Sequence, residues 1–137
     1  MSGTNVRQIN NGWVVVRTTK SINQGKSTWR IRFDSMQSPR HVFIGICDDS
    51  IAMVNSATLP VSMRCDGRNS GGPVINGICF QVSSGQIVHF DLNLSTQQLT
   101  MKNESSSQQV TYQVPTGAWY PAVCWHYSGD SITYLGP

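Results

Sequence analysis

Apolar positions along this chain recur every second residue far more often than at the 3.6-residue spacing of a helix, which is the pattern of β-strands. The clearest case runs from Thr28 to Phe33, where Trp29, Ile31 and Phe33 point one way and Arg30 and Arg32 the other. That alternation predicts a strand with one dry face and one wet, cationic face. The stretch from Gln86 to Asn93 repeats it, with Val88, Phe90 and Leu92 against His89 and Asp91. Leu99 with Met101, then Val110, Tyr112 and Val114, and finally Ile132 with Tyr134 continue the rule. His41 to Cys47 is apolar on both faces and predicts a central strand covered on both sides. Gly45 inside it predicts a bulge or a close backbone approach.

Trp13 to Val16, Ile78 to Val82 and Tyr120 to Tyr127 are further apolar runs of strand length. Turn residues separate these segments, as at Ser83-Ser84-Gly85, Asn93 to Thr96, Asn103 to Ser107 and Ser128-Gly129-Asp130. Residues 1–12 are polar and are expected to form a flexible segment, with a single domain over residues 13–137. From Asp48 to Pro73 the chain is rich in Asp, Ser, Asn, Gly and Arg, with isolated apolar residues such as Met53, Leu59 and Val61. Long loops with one or two short strands are expected there, and loops of that length often carry function. About ten short strands without a helix predict an all-β, two-sheet antiparallel sandwich. Its expected core is Trp29, Ile31, Phe33, Val42, Ile44, Ile46, Ile78, Phe80, Val88, Phe90, Leu92, Leu99, Met101, Val110, Tyr112, Val123 and Ile132.

Composition supports this picture. The 137 residues suffice for one domain, and 12% charged against 39% hydrophobic suits a sheet protein better than a disordered chain. The net charge is +3, but the basic residues are scattered and form no run suited to phosphates, so nucleic acid is not an expected partner. No apolar stretch nears the roughly 20 residues that span a bilayer, and no membrane partner is expected. Cys47, Cys65, Cys79 and Cys124 lack Cys-x-x-Cys spacing and follow no secretory leader; buried free thiols in a reducing, intracellular and cytoplasmic setting are expected.

The order of signals resembles the SPRY (B30.2-like) domain. Gly25-Lys26-Ser27-Thr28-Trp29 resembles the opening of such domains, and Phe43-Ile44-Gly45-Ile46 their apolar-Gly-apolar step. Gly85 to Leu92 resembles the later strand with a central Asp. Leu99-Thr100-Met101-Lys102-Asn103 resembles the strand before the Asn hairpin, and Tyr120-Pro121-Ala122-Val123 the Tyr-Pro strand. The likeness covers roughly residues 17–135. It departs from the family at Arg30, where an acidic residue is usual, at Gln86 in place of Asp, and at Glu104 in place of the hairpin Gly. The resemblance implies a β-sandwich of concanavalin-like, jelly-roll type. It also implies a non-catalytic role in protein binding, as a monomeric domain of a larger protein such as a substrate-recruiting part of a ubiquitin ligase or a scaffold.

Catalytic patterns are weak. Glycoside hydrolysis needs two facing carboxylates, but Glu104 is the only Glu and Asp91 has no evident partner. Cys124 and His126 share a strand face, as a thiol and its base would, but they read as two side chains of one sheet face. Asp48, Asp49 and Asp66 offer oxygen ligands without an EF-hand spacing, and read as solvated loop. Asn69-Ser70-Gly71-Gly72 reads as a turn, lacking the Lys of a P-loop. Neither a cofactor nor a metal is expected.

Binding residues stand out more. Arg, Tyr and Trp give large contact area or fork-shaped hydrogen bonding. Arg40 and His41 precede the central strand, and Arg64, Asp66 and Arg68 lie in the long loop. Trp125 and Tyr127 alternate with Cys124 and His126; the core is the better place for Trp125, which stays among the candidates. In SPRY domains loops at one end of the sandwich take the partner, which implies roles for Arg40, for Asp48 and Asp49 after Cys47, and for Tyr127. The expected function is capture of a short peptide or protein surface. The alternative is a lectin-like sandwich, with Trp13, Trp119 and Trp125 stacking on sugars.

Overall fold

A computed structural model describes residues 3–51 and 59–136. Met53 lies outside the described residues. Strands are β1 (Thr4–Arg7), β2 (Val14–Arg17), β3 (Lys26–Ser35), β4 (Val42–Cys47), β5 (Val61–Arg64), β6 (Arg68–Gly71), β7 (Val74–Gly77), β8 (Ile87–Asn93), β9 (Gln98–Asn103), β10 (Gln109–Gln113), β11 (Tyr120–Trp125) and β12 (Ser131–Leu135). A 3-10 turn, Pro39–His41, precedes β4. Two antiparallel sheets form, one in the order β1-β12-β3-β8-β9-β10-β7 and one in the order β2-β11-β4-β5-β6. The expected two-sheet sandwich is the observed architecture.

The alternation in β3 and β8 decides the interior. Trp29 pairs across the ladder with Phe90, and Ile31 with Val88, so one face of the seven-stranded sheet is a continuous apolar layer. It meets Val42, Ile44, Ile46, Met63, Val123 and Trp125 of the five-stranded sheet. The two sheets are also tied by Tyr112, whose buried hydroxyl donates to the Ser62 carbonyl at 3.0 Å. The opposite face of the seven-stranded sheet is wet and charged, with Arg30 bound bidentately to Glu104 at 2.8 and 2.9 Å and Arg32 to Asp34 at 2.6 Å.

The five-stranded sheet is covered on both faces. Its outer face carries a second apolar cluster of Val15, Cys47, Leu59, Ala122 and Cys124, flanked by Trp13, Phe43, Ile51 and Tyr120. This explains why β4 is apolar at every position. Gly45 is required by close approach: a Cβ there would collide with the Val61 carbonyl oxygen of β5. None of the four cysteines forms a disulfide, and Cys47, Cys65 and Cys124 are buried.

Three expectations are corrected. Within the segment expected to be flexible, Thr4–Arg7 is a strand that pairs with β12 from Thr4↔Tyr134 to Arg7↔Ser131. The strand expected over Ile78 to Val82 lies earlier, at Val74–Gly77. Ile78 is 69% exposed and outside the core, although Phe80 and Val82 are buried. Residues 78–80 lie in no strand, so the period-two rule that would put Ile78 on the same face as Phe80 and Val82 does not hold there. Finally, Asn69 to Gly71 is part of β6, and the turn proper begins at Gly72.

Candidate binding platform at one end of the five-stranded sheet

Strand direction separates the sequence-derived candidates into two groups. β4 runs from Val42 to Cys47, so Arg40 and His41 stand at one end and Asp48 and Asp49 at the other, about 20 Å away at some 3.3 Å per residue. Asp49 is engaged there by Arg17 at 3.1 Å, and Arg17 also lies over the Tyr120 ring, 3.8 Å from its centroid. Asp48 accepts bonds from the backbone and hydroxyl of Ser50. Asp48 and Asp49 are therefore not neighbours of Asp66, and no group of three metal-ligating side chains occurs among the described residues.

The other candidates converge. Trp125 pairs with both Val14 and Val42, which sets the end of the sheet, and the next outward positions are Trp13, His41 and His126. Phe43, one step down β4, pairs with Arg64 of β5. The result is a cluster of rings. Trp13 stacks on Phe43 at 5.6 Å between centroids and meets the edge of His126 at 5.0 Å. Tyr127 packs edge-on against His41 at 4.9 Å and His126 at 5.0 Å. Each ring is half-buried, with part of its surface in contact and part open to solvent. Arg40 is exposed beside them, and its guanidinium has no partner among the described residues.

Hydrogen bonds lock the loops that carry these rings. Gly12 N–H donates to the His126 carbonyl, Gln8 N–H to the Asp130 carbonyl and Gly129 N–H to the Gln8 carbonyl, each at 2.8 Å. The Ser128 hydroxyl donates to the Ile9 carbonyl at 2.7 Å, and Gln37 Nε2 to the Ser128 carbonyl at 2.7 Å. Gln37 N–H donates to Asp130 Oδ1 at 2.9 Å, and the Ser38 hydroxyl shares a hydrogen bond with His41 Nδ1 at 3.0 Å. Loops 8–13, 36–41 and 126–130 thus form one preorganised unit. Asp130 is its buried post; burial pushes its carboxyl above the usual range, partly offset by Gln37 N–H and nearby His41.

The β5–β6 hairpin forms the neighbouring rim. Asp66 is clamped by Arg64 Nε and Nη2 at 2.8 and 2.7 Å, and Arg68 approaches it at 3.8 Å. The hydrogen bonds from Arg64 hold the Asp66 carboxyl below its ordinary value, despite partial burial. Arg68 remains mostly exposed, so this rim is cationic.

Trp125 is 1% exposed and belongs to the core, so it is corrected from a contact residue to a support beneath the platform. Trp119 is 5% exposed, its indole N–H donating to the Pro115 carbonyl at 2.9 Å, which leaves Trp13 alone of the three sugar-stacking candidates with open surface. The catalytic patterns also separate. Asp91 pairs with Thr100 in β9, so Glu104 stands four residues further along, about 13 Å. Each carboxylate is held by a cation, Lys26 at 3.4 Å and Arg30 at 2.8 Å. Burial pushes the Cys124 thiol up to about 12, which suppresses the thiolate a nucleophile needs. Phe43 is a platform residue that motif reading passed over, whereas Trp13 entered it only as a sugar-stacking candidate and His126 only as a base for Cys124. Outward alternation from Val14 and Val42 was the signal that could have found Trp13 and Phe43.

No protein-family model matches this chain, and no curated protein matches it. Solved structures do. The SPRY domain of human HERC1 superposes with a TM-score of 0.73 at 12% identity, covering 93% of this chain and 84% of that one. A human SPRY domain gives 0.69 at 11% identity over 98% and 92% of the two chains. The TRIM65 PSpry domain gives 0.67 at 13% identity over 100% and 90%. With near-complete coverage in both directions, the likeness extends to the whole sandwich and not to a shared fragment, so the fold of this chain is that of a SPRY-type domain.

Proposed function

We propose that this chain is a non-catalytic protein-interaction module, and that the platform of Trp13, Arg40, His41, Phe43, His126 and Tyr127 is where a short peptide or protein surface docks. The observation that carries this reading is preorganisation. Three separate loops are bound to one another by backbone and side-chain hydrogen bonds, so the rings are in place before a partner arrives and little ordering entropy is lost there on binding. Aromatic rings beside a guanidinium that has no partner among the described residues, that of Arg40, are the composition of a binding hot spot. Arg40 and Arg68 further favour a partner with carboxylates at its rim.

Peptides selected on the immobilised chain from a random displayed library test the reading. Tyr127→Ala and Arg40→Ala are expected to weaken peptides bound at the platform by roughly tenfold each, about 1–2 kcal/mol, with the thermal midpoint almost unchanged. Binding confined to glycans on an array, with no peptide recovered, would overturn it in favour of a lectin.

A further inference from the structure

The sandwich is open along one side, where β1 of the larger sheet and β2 of the smaller lie at adjacent edges. Among the described residues each is hydrogen-bonded to one neighbouring strand, β1 to β12 and β2 to β11. Two adjoining clefts of about 380 and 390 Å³ open between them and share Val16. Both volumes fall in the range of ligand-binding clefts. The first has core residues as its floor, Ile31, Val123 and Ile132, which are buried elsewhere by the sandwich itself. The second is walled by Trp13, Val14 and Trp125. Val6, Val14 and Val16 are only half-buried, so the apolar faces of both edge strands lack full cover among the described residues.

Two polar groups point to the chemistry of an occupant. Trp125 is 1% exposed, and its Nε1–H has no acceptor among the described residues. Arg7 stands in the lining of the second cleft with no carboxylate partner among the described residues, whereas Arg17, lining the first, is already held by Asp49. Unpaired strand edges call for backbone N–H and C=O groups. An apolar floor calls for apolar side chains at alternate positions. A buried indole N–H calls for a carbonyl, and a free guanidinium for a carboxylate. An extended peptide supplies all four. A nucleic acid would set phosphates over the apolar floor, and a lipid surface would engage a protruding patch and not a cleft.

We infer that the β1–β2 edge is a second binding site, distinct from the loop platform, for an extended peptide of another protein with alternating apolar side chains and an acidic residue set against Arg7. Trp13 borders both sites, so the two lie side by side.

The test uses the full chain and displayed random peptides of about ten residues, roughly 33 Å when extended. Recovered peptides are synthesised and measured by fluorescence polarisation against the parent chain, Arg7→Glu and Tyr127→Ala. Arg7 is exposed and has no partner among the described residues, so Arg7→Glu should leave the circular-dichroism spectrum and melting midpoint unchanged. The expected result is a class of alternating apolar peptides with Asp or Glu that Arg7→Glu weakens roughly tenfold and Tyr127→Ala does not. Exchanging the peptide acid for Lys should restore binding to Arg7→Glu. Recovery of no such class overturns the inference. So does a set of peptides all weakened by Tyr127→Ala and indifferent to Arg7→Glu, a pattern that would leave the loop platform standing.

Discussion

Replacing Trp29 by Phe and by Ala should have very different consequences, and the difference measures what holds the centre of the core. Trp29 is 2% exposed and stacked on Phe90 with centroids 5.2 Å apart and planes 6° from parallel. Its indole N–H is buried and meets no acceptor among the described residues. Truncation to Ala removes about 150–200 Å² of buried apolar contact, worth roughly 4–5 kcal/mol at about 25 cal/mol per Å². Partial collapse and removal of the unpartnered N–H return some of this, so Trp29→Ala should cost about 3–4 kcal/mol. Phe keeps a ring on Phe90 and gives up only part of the indole, on the order of 1–1.5 kcal/mol of packing. It also removes a donor whose desolvation costs about 1–3 kcal/mol. These effects oppose each other, and Trp29→Phe should fall within about 1.5 kcal/mol of the parent. Urea unfolding followed by far-ultraviolet circular dichroism reads both variants without relying on tryptophan emission, and an unchanged slope licenses comparison of midpoints. If Trp29→Phe is as damaging as Trp29→Ala, the N–H is not a net penalty and the argument fails.

Other outcomes follow from buried titratable groups and from one glycine. Burial pushes the Cys47 thiol up to about 11 and Cys124 up to about 12 from 9.0. Above about pH 9 the unfolded chain therefore releases protons that the folded chain keeps, and stability should fall as pH rises, by up to about 1.4 kcal/mol per pH unit per thiol. Denaturation midpoints between about pH 8 and pH 10.5 check this, and a flat profile would contradict it. Asp130 has the same sign for a different group: its raised carboxyl pKa means that stability is lost as pH rises from the unfolded value through the folded one. Asp130→Asn can retain the acceptor for Gln37 N–H without a buried charge, so its stability should be flatter across the acidic range; an unaltered profile would refute the assignment. Gly45→Ala should cost about 2–3 kcal/mol, because its Cβ meets backbone of β5 that cannot rotate away. A neutral result in chemical denaturation would show that β4 and β5 separate easily.

Strands were legible where one face is dry and the other wet. β3, β8, β9, β10 and β12 announce themselves by alternation, and β4 by its continuous apolar run. β1 and β6 did not, because their polar residues leave no period-two contrast to read. Ile78 reads as core because Phe80 and Val82 follow it at alternate positions, but residues 78–80 are not a strand and the period-two rule lapses there. The platform was legible in part: Arg40, His41, Arg64, Asp66, Arg68 and Tyr127 do lie at one end of the smaller sheet. Asp48 and Asp49 lie at the other, since a strand separates residues that are near in sequence.

Alternation along the chain, by itself, determined the fold class, most of the core and which side chains leave each strand together, since those depend on a backbone geometry that repeats every two residues. Only the tertiary structure decided which strands become neighbours, which loops share an end and what covers the outer face of the smaller sheet. Those are settled by ladder partners far apart in sequence, such as Trp125 with Val14 and Val42, and a local period carries no record of the partner it will meet.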